Sequence, residues 1–288
     1  MNQEWYQQLP LNDVRNVIPV SGGDVNQAYR VETETETYFL LVQPGRDASF
    51  YEAEIAGLKA FEAAEITAPV VIASGEIEND AYLLLSYLEE GHTGSQEALG
   101  QLVAKLHQTY SEQGQFGFEL PYEGRDISFD NTWTDTWVDL FIHQRIDVLA
   151  ERIRQEQLWS PEDDELFEEV RQIMIETLRQ HDSKPSLLHG DLWGGNYMFL
   201  TDGQPALFDP APLYGDREFD LGATRVFGGF TQAFYDAYHE AYPLTEGATL
   251  RIQFYELYLL LVHLVKFGSM YHHSVKRTME AIAHASSS

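Results

Sequence analysis

Asp191, Asn196 and Asp209 share one stretch, LLHGDLWGGNYMFLTDGQPALFDPAPLYGDREFD over 187–220. Two carboxylates and a carboxamide are hard oxygen donors, the kind Mg²⁺ takes when substrate phosphates complete its shell. Strands are expected over 197–200 and 205–208, joined by Thr201-Asp202-Gly203-Gln204. Asp-Gly is a strong hairpin signal, and Pro205 is tolerated because it opens its strand. Pairing Leu200 with Pro205 sets Tyr197 against Phe208. Asn196 then faces Asp209 just past the hairpin's open end, about 5 Å away, with Asp191 on the preceding loop. Asp209 would be the principal metal ligand and Asn196 the second. Asp191 would accept the proton of an attacking hydroxyl, an effect worth roughly 10²–10⁴-fold. His189 is expected to brace the loop through hydrogen bonds. Asp-x₄-Asn alone is weak evidence. Joined to His-Gly-Asp, a hairpin and a second Asp, it is the layout of metal-assisted phosphoryl transfer.

The elements that must position these residues fall into two groups. Strands are expected over 14–20, 25–31 and 37–43, with Glu32-Thr33-Glu34-Thr35-Glu36 as a solvated hairpin tip. A helix follows over 48–64, its face drawn from Tyr51, Ile55, Leu58 and Phe61, then strands over 69–73 and 82–87. Near Glu89-Glu90-Gly91 the pattern turns helical. Ser95 can cap a helix with Leu99, Leu102, Val103 and Leu106 on one face, and further helices are expected over 133–153, 161–181 and 246–268. The expected fold class is α+β: a small β-rich lobe with one helix over 1–88, and a larger, mainly helical lobe over 89–288. Three strands, a helix and two strands is the order of a kinase N-terminal lobe.

Composition narrows the function. With 44% apolar and 13% aromatic residues the chain is globular, and with no cysteine it has neither disulfides nor thiolate metal sites. No basic start followed by an apolar run marks a leader, and the apolar run 257–262 is too short for a membrane span, so a cytoplasmic protein is expected. The formal charge of −28 disfavours nucleic acid and anionic lipid as partners. It also means that any triphosphate site needs local neutralisation by metal ions, backbone amides or a few placed cations. His272-His273 is a poor chelate on a helix, and His107 reads as a core or capping histidine. No His-Glu-x-x-His or Gly-x-Ser-x-Gly occurs.

His189-Gly190-Asp191-Leu192-Trp193-Gly194-Gly195-Asn196, Phe208-Asp209-Pro210-Ala211 and Gly215-Asp216-Arg217-Glu218-Phe219-Asp220-Leu221 together resemble the signature of the fructosamine/ketosamine-3-kinase family. That family has an aminoglycoside-phosphotransferase-like, protein-kinase-like bilobal fold. The resemblance extends to Ser21–Arg30, similar to the family's nucleotide loop, to Phe116-Gly117, to Asn131, Trp133, Trp137, Phe141 and Arg145, and to Phe227–Phe230. It implies ATP- and Mg²⁺-dependent phosphorylation of the sugar 3-hydroxyl of fructosamines or ribulosamines, free or on protein lysines, and so deglycation. Carried over by position, Asp191 is the base, and Asn196 and Asp209 hold metal. Ser21, Gly22, Gly23 and Asn26 lie on the nucleotide loop, with adenine against the Ser86–Leu88 connection. Trp193, Asp216, Glu218 and Trp137 are candidates to meet the substrate, although the i,i+4 spacing of Trp133 and Trp137 equally suits packing. A monomer is expected.

One departure stands out. The family's third strand carries a lysine that reaches the ATP phosphates and pairs with a helix glutamate, whereas here Leu41 occupies that position and leaves Glu54, with Glu52 the less favoured choice, without its partner. Arg46 is the preferred substitute cation, with Lys59 behind it. The alternatives are a kinase of another small hydroxyl compound, aminoglycoside- or choline-like, and a nucleotide-binding pseudokinase.

Overall fold

In the computed structural model, residues 3–20, 27–124 and 126–286 are described. The chain forms two compact units: Met1–Ser95 with Tyr197–Pro210, and Gln96–Asn196 with Ala211–Ser288.

The first unit opens with a short helix α1 (Gln3–Tyr6) and an antiparallel sheet of β1 (Asn16–Val20), β2 (Gln27–Glu32), β3 (Thr37–Pro44), β4 (Val71–Ile77) and β5 (Asp80–Ser86), in the order β1-β2-β3-β5-β4. Alternation along β3 sends its side chains to two cores. Leu40 and Val42 join Trp5, Leu9, Val31 and Leu84 on one face. Leu41 joins Ala28, Tyr51, Leu58, Leu83 and Leu85 on the other, where α2 (Glu52–Ala63) packs. A single 3₁₀ turn, Ala48–Tyr51, leads into α2; Asp47 caps it by accepting from the Ser49 N–H at 2.9 Å.

The second unit is mainly helical: α3 (Gln96–His107), α4 (Asp147–Gln155), α5 (Pro161–Gln180), α6 (Glu218–Val226), α7 (Gln232–Ala241), α8 (Ala248–Phe267) and α9 (His272–Ser286). Short ribbons β6 (Tyr122–Glu123) with β7 (Ser128–Phe129), and β8 (Ser186–Leu188) with β11 (Leu213–Gly215), complete it. The hairpin β9 (Tyr197–Phe199) and β10 (Pro205–Leu207) belongs to the first unit. Ser160 and Asp163 form a reciprocal capping box at the start of α5, with Pro161 in the first turn. Phe141, Phe219, Tyr255 and Trp137 form an aromatic core, with Phe141 and Tyr255 centroids 4.9 Å apart. The stretch Ala248–Ala285 is long and apolar enough, by length and composition, to cross a bilayer, and 61% of its apolar window is buried inside the protein.

Three sequence expectations need correction. The helix expected over 133–153 begins later, because Thr134 exchanges backbone hydrogen bonds with Phe116; Asp139–Ile146 is then π-helical before α4. The division expected at 88/89 differs from the observed units. The bridge between Glu90 and Leu200, the Gly91 N–H to Phe199 O bond (2.7 Å) and the Leu207 N–H to Thr67 O bond (2.9 Å) tie the 197–210 hairpin into the first unit. The hairpin register is displaced by one: Pro205 pairs with Phe199 and Leu207 with Tyr197. Leu200 instead closes a tighter turn by accepting from Gly203, whose φ of 84° suits glycine, and donating to Gln204.

Candidate active site

The loop after β8 is shaped from both ends by buried polar groups. Asp220, on the first turn of α6 and fully buried, accepts from the His189 N–H at 2.7 Å and the Gly190 N–H at 2.9 Å. Its third partner is His107 Nε2 at 3.1 Å, while His107 Nδ1 meets the Tyr238 hydroxyl at 2.8 Å. Gly190 has φ +82°, and a Cβ there would come within 1.7 Å of Ala211 O, so only glycine lets the loop turn at this point.

Asp191 leaves this turn with an exposed carboxylate. Its backbone N–H donates to His189 Nδ1 at 3.3 Å, which is the bracing role expected of that histidine. Buried Asn196 donates through Nδ2 to Asp191 O at 2.8 Å and to Asp191 Oδ2 at 3.1 Å. The amide nitrogen thus orients Asp191, and the carboxamide oxygen is an acceptor. Trp193 is 42% exposed, and its ring lies over Gly195, where a Cβ would fall 2.2 Å from it.

Asp191 lines a cavity of about 100 Å³ in the second unit, together with Tyr122, Arg145, Tyr258, His263 and Lys266. Trp137, Asp216 and Glu218 are not among its walls. Trp137 is core, 3% exposed, stacked on Phe141 at 5.5 Å and donating its ring N–H to Tyr255 at 2.9 Å. Glu218 is gripped by Arg251 through two bonds of 2.8 Å. Asp216 accepts from the Glu218 N–H at 2.9 Å and faces His181 at 3.1 Å. Burial opposes the charge of Asp216, yet His181 and the Glu218 N–H hold its pKa below the ordinary carboxylate value. Both acids therefore brace the segment that starts α6, and Arg217 anchors it further by donating to Tyr242 O at 2.6 Å.

In the first unit, Asp209 follows β10 with φ 53°, a left-handed conformation that aspartate tolerates better than most residues and that clusters at functional positions. Glu54 Oε1 is sealed from solvent without a hydrogen-bond partner. Burial first, and then the charge of Asp209, push the Glu54 pKa up to about 8. Arg46, the expected stand-in cation, is exposed and lies over the Phe50 ring at 5.2 Å; among the described residues it forms no ion pair with Glu54. Lys59 is also exposed. Ser86 ends β5 with its hydroxyl accepting from the Val70 N–H at 2.8 Å, and half-buried Leu88 lies beyond the ladder. Ser21, Gly22, Gly23 and Asn26 lie outside the described residues.

The profile of the fructosamine kinase family matches residues 2–285. The chain belongs to the fructosamine kinase family. A Staphylococcus aureus protein named a probable ketoamine kinase is 62% identical over 282 residues, 98% of each chain. A Lactiplantibacillus plantarum protein of the same name is 45% identical over 279 residues, 97% of this chain and 98% of its own. The crystal structure of a Haemophilus somnus 129PT protein assigned as a fructosamine-3-kinase matches with a TM-score of 0.82 at 26% identity, covering 97% of this chain and 94% of that one. An aminoglycoside phosphotransferase in complex with AMP-PNP and hygromycin B gives a TM-score of 0.67 at 15% identity over 99% of both chains, a likeness of fold.

This member of the fructosamine kinase family is thus a phosphotransferase of protein-kinase-like fold that acts on a hydroxyl group. Sequence reasoning assigned no role to Asp220, Arg251 or the cavity walls Tyr122, Tyr258 and Lys266. Asp220 stood inside the signature, but its partner His107 is 113 positions away. An acid in the first turn of a helix otherwise reads as an ordinary charge on the helix dipole.

Proposed function

We propose that this kinase transfers the γ-phosphoryl group of ATP to the 3-hydroxyl of ribulosamines and fructosamines, free or carried on protein lysines, with Asp191 as the base. The observation that carries this reading is the setting of Asp191: oriented by Asn196 at 2.8 and 3.1 Å, turned by a loop pinned to Asp220, and exposed at a cavity. Asp191 accepts the hydroxyl proton as the oxygen attacks phosphorus, and the terminal bond to ADP breaks. Asn196, through its carboxamide oxygen, and Asp209 are the hard-oxygen donors that would hold Mg²⁺, which when bound neutralises phosphate charge. The Ser21–Asn26 loop and the Ser86–Leu88 connection serve the nucleotide, and exposed Trp193 offers a flat face to the sugar–amine. Asp216 and Glu218 act on substrate only through the segment they brace. The enzyme is taken to be a cytoplasmic monomer.

Leu41 favours one rival reading, nucleotide binding without transfer, since it packs in the core where a phosphate-contacting lysine was expected. Incubation with Mg-ATP and ribulosyl-lysine, followed by ADP release, separates the two. The kinase reading expects turnover that needs the ketosamine and falls at least about 10²-fold in Asp191→Ala. Mg-dependent ATP binding without turnover, across ketosamines and an aminoglycoside and sugar panel, would establish the rival.

A further inference from the structure

Arg145 is a buried cation that forms no ion pair among the described residues, although Asp130 attracts it electrostatically. It is 3% exposed. Its partners are neutral oxygens: Asp130 O at 2.7 Å, Gln144 O at 3.0 Å, Asn131 Oδ1 and the Tyr258 hydroxyl. The Phe129 ring lies 4.7 Å from the guanidinium carbon. Taking a guanidinium out of water is costly unless an anion meets it, and a fork of N–H donors matches an oxyanion better than any other group. Arg145 also sits in the π-helical segment 139–146, an irregularity common at functional positions.

The cavity places this cation opposite the base. Arg145 and Asp191 both line it, and the phenols of Tyr122 and Tyr258 lie within the fields of both. Exposed Lys266 adds a second cation at the wall. His263 also lines the cavity, where burial lowers its pKa against the opposing bond from Nδ1 to Leu259 O at 2.8 Å. In a chain of net charge −28, a cavity with two cations and one acid is the reverse of a pocket built for a cationic acceptor.

Resting on the ketosamine reading above, we infer that the acceptor cavity recognises a ketosamine bearing an oxyanion, bound by Arg145 with Lys266 in support. The carboxylate of an amino-acid adduct and the phosphate of a sugar phosphate share this chemistry. The test compares three acceptors with Mg-ATP: ribulosyl-glycine, ribulosyl-methylamine, and the 5-phosphate of ribulosyl-methylamine. The expected result is a kcat/KM about tenfold or more higher for an anionic acceptor than for ribulosyl-methylamine, carried mainly by KM. Whichever anionic acceptor is preferred identifies the source. Arg145→Gln should bring the anionic acceptor down to the level that ribulosyl-methylamine shows with the same variant, Arg145→Lys should restore part of the preference, and exposed Lys266→Gln should weaken it without risk to folding. Equal use of all three acceptors by the wild type, or an equal loss on all of them in Arg145→Gln with Lys266→Gln silent, overturns the inference while leaving the kinase reading intact. No ADP release with any ketosamine overturns both.

Discussion

Asp220 shows how much depends on one fully buried carboxylate. It accepts from the backbone N–H groups of His189 and Gly190 on the loop after β8 and meets one ring nitrogen of His107. Asp220→Ala strands those donors, a loss of about 3 kcal/mol, and frees the loop. Denaturant titration should show that loss and ADP release should fall with it, with Asp220→Asn intermediate because one oxygen remains. Leu41 and Glu54 make a second test at this scale. Leu41 packs beside Tyr51 and Leu58 on the face covered by α2, and Tyr51 feels the charge of Glu54. Leu41→Lys should therefore be tolerated with Glu54 present and be costly in the Glu54→Gln background. A coupling on the order of 1–3 kcal/mol is expected from thermal melts of the four proteins; additive effects would mean that the two positions do not meet.

Elements carry the site only where their ends are held. Gly190 turns the loop after β8 in a left-handed conformation against Ala211 O. Gly190→Ala must displace that backbone, so turnover should drop by at least about tenfold while far-ultraviolet circular dichroism is unchanged. Helix α5 offers a pH test. Asp163 is 3% exposed, caps the helix with Ser160, and pairs with His272 at 2.8 Å and Lys276 at 3.0 Å. Burial works against its charge, yet these partners hold its pKa well below the ordinary value of 3.8. A depressed carboxylate stabilises the fold fully above its unfolded pKa and loses that contribution as pH falls through the folded value. Asp163→Asn should thus cost about 1–3 kcal/mol at pH 7, and in melts the gap to wild type should begin to narrow below about pH 4 and go on narrowing as the pH falls further.

At the scale of the whole molecule, the charge of −28 acts on every approaching nucleotide. Long-range repulsion between like charges is screened within about 10 Å at 0.1 M salt. Stopped-flow association of a fluorescent Mg-nucleotide should therefore quicken as salt rises from low to physiological strength, whereas a protein with a basic cleft shows the opposite. Three cations of the second unit are placed at particular points: Arg145 at the cavity that Asp191 lines, Arg251 on Glu218, and Arg217 on the carbonyls of Tyr242 and Pro243.

Local pattern was enough for the sheet strands and α2 of the first unit, for α5 and for most of α8. Alternation, helical periodicity and turn chemistry act over a few residues and are written in the chain. The hairpin register was misread by one residue because Asp-Gly specifies a turn without specifying its length, and the bond between Gly203 and Leu200 decides it. Trp137 shows the same limit: a tryptophan near a signature suits a cleft or a core, and only Phe141 and Tyr255, brought from other positions, settle it as core. Pairings such as Asp220 with His107 and Glu218 with Arg251 join positions far apart along the chain, and so does the assembly of Arg145, Tyr258 and Asp191 around one cavity. The sequence by itself determined which groups could do chemistry. Tertiary structure decided which of them share a space, because burial and long-range hydrogen bonds exist only once distant segments have packed.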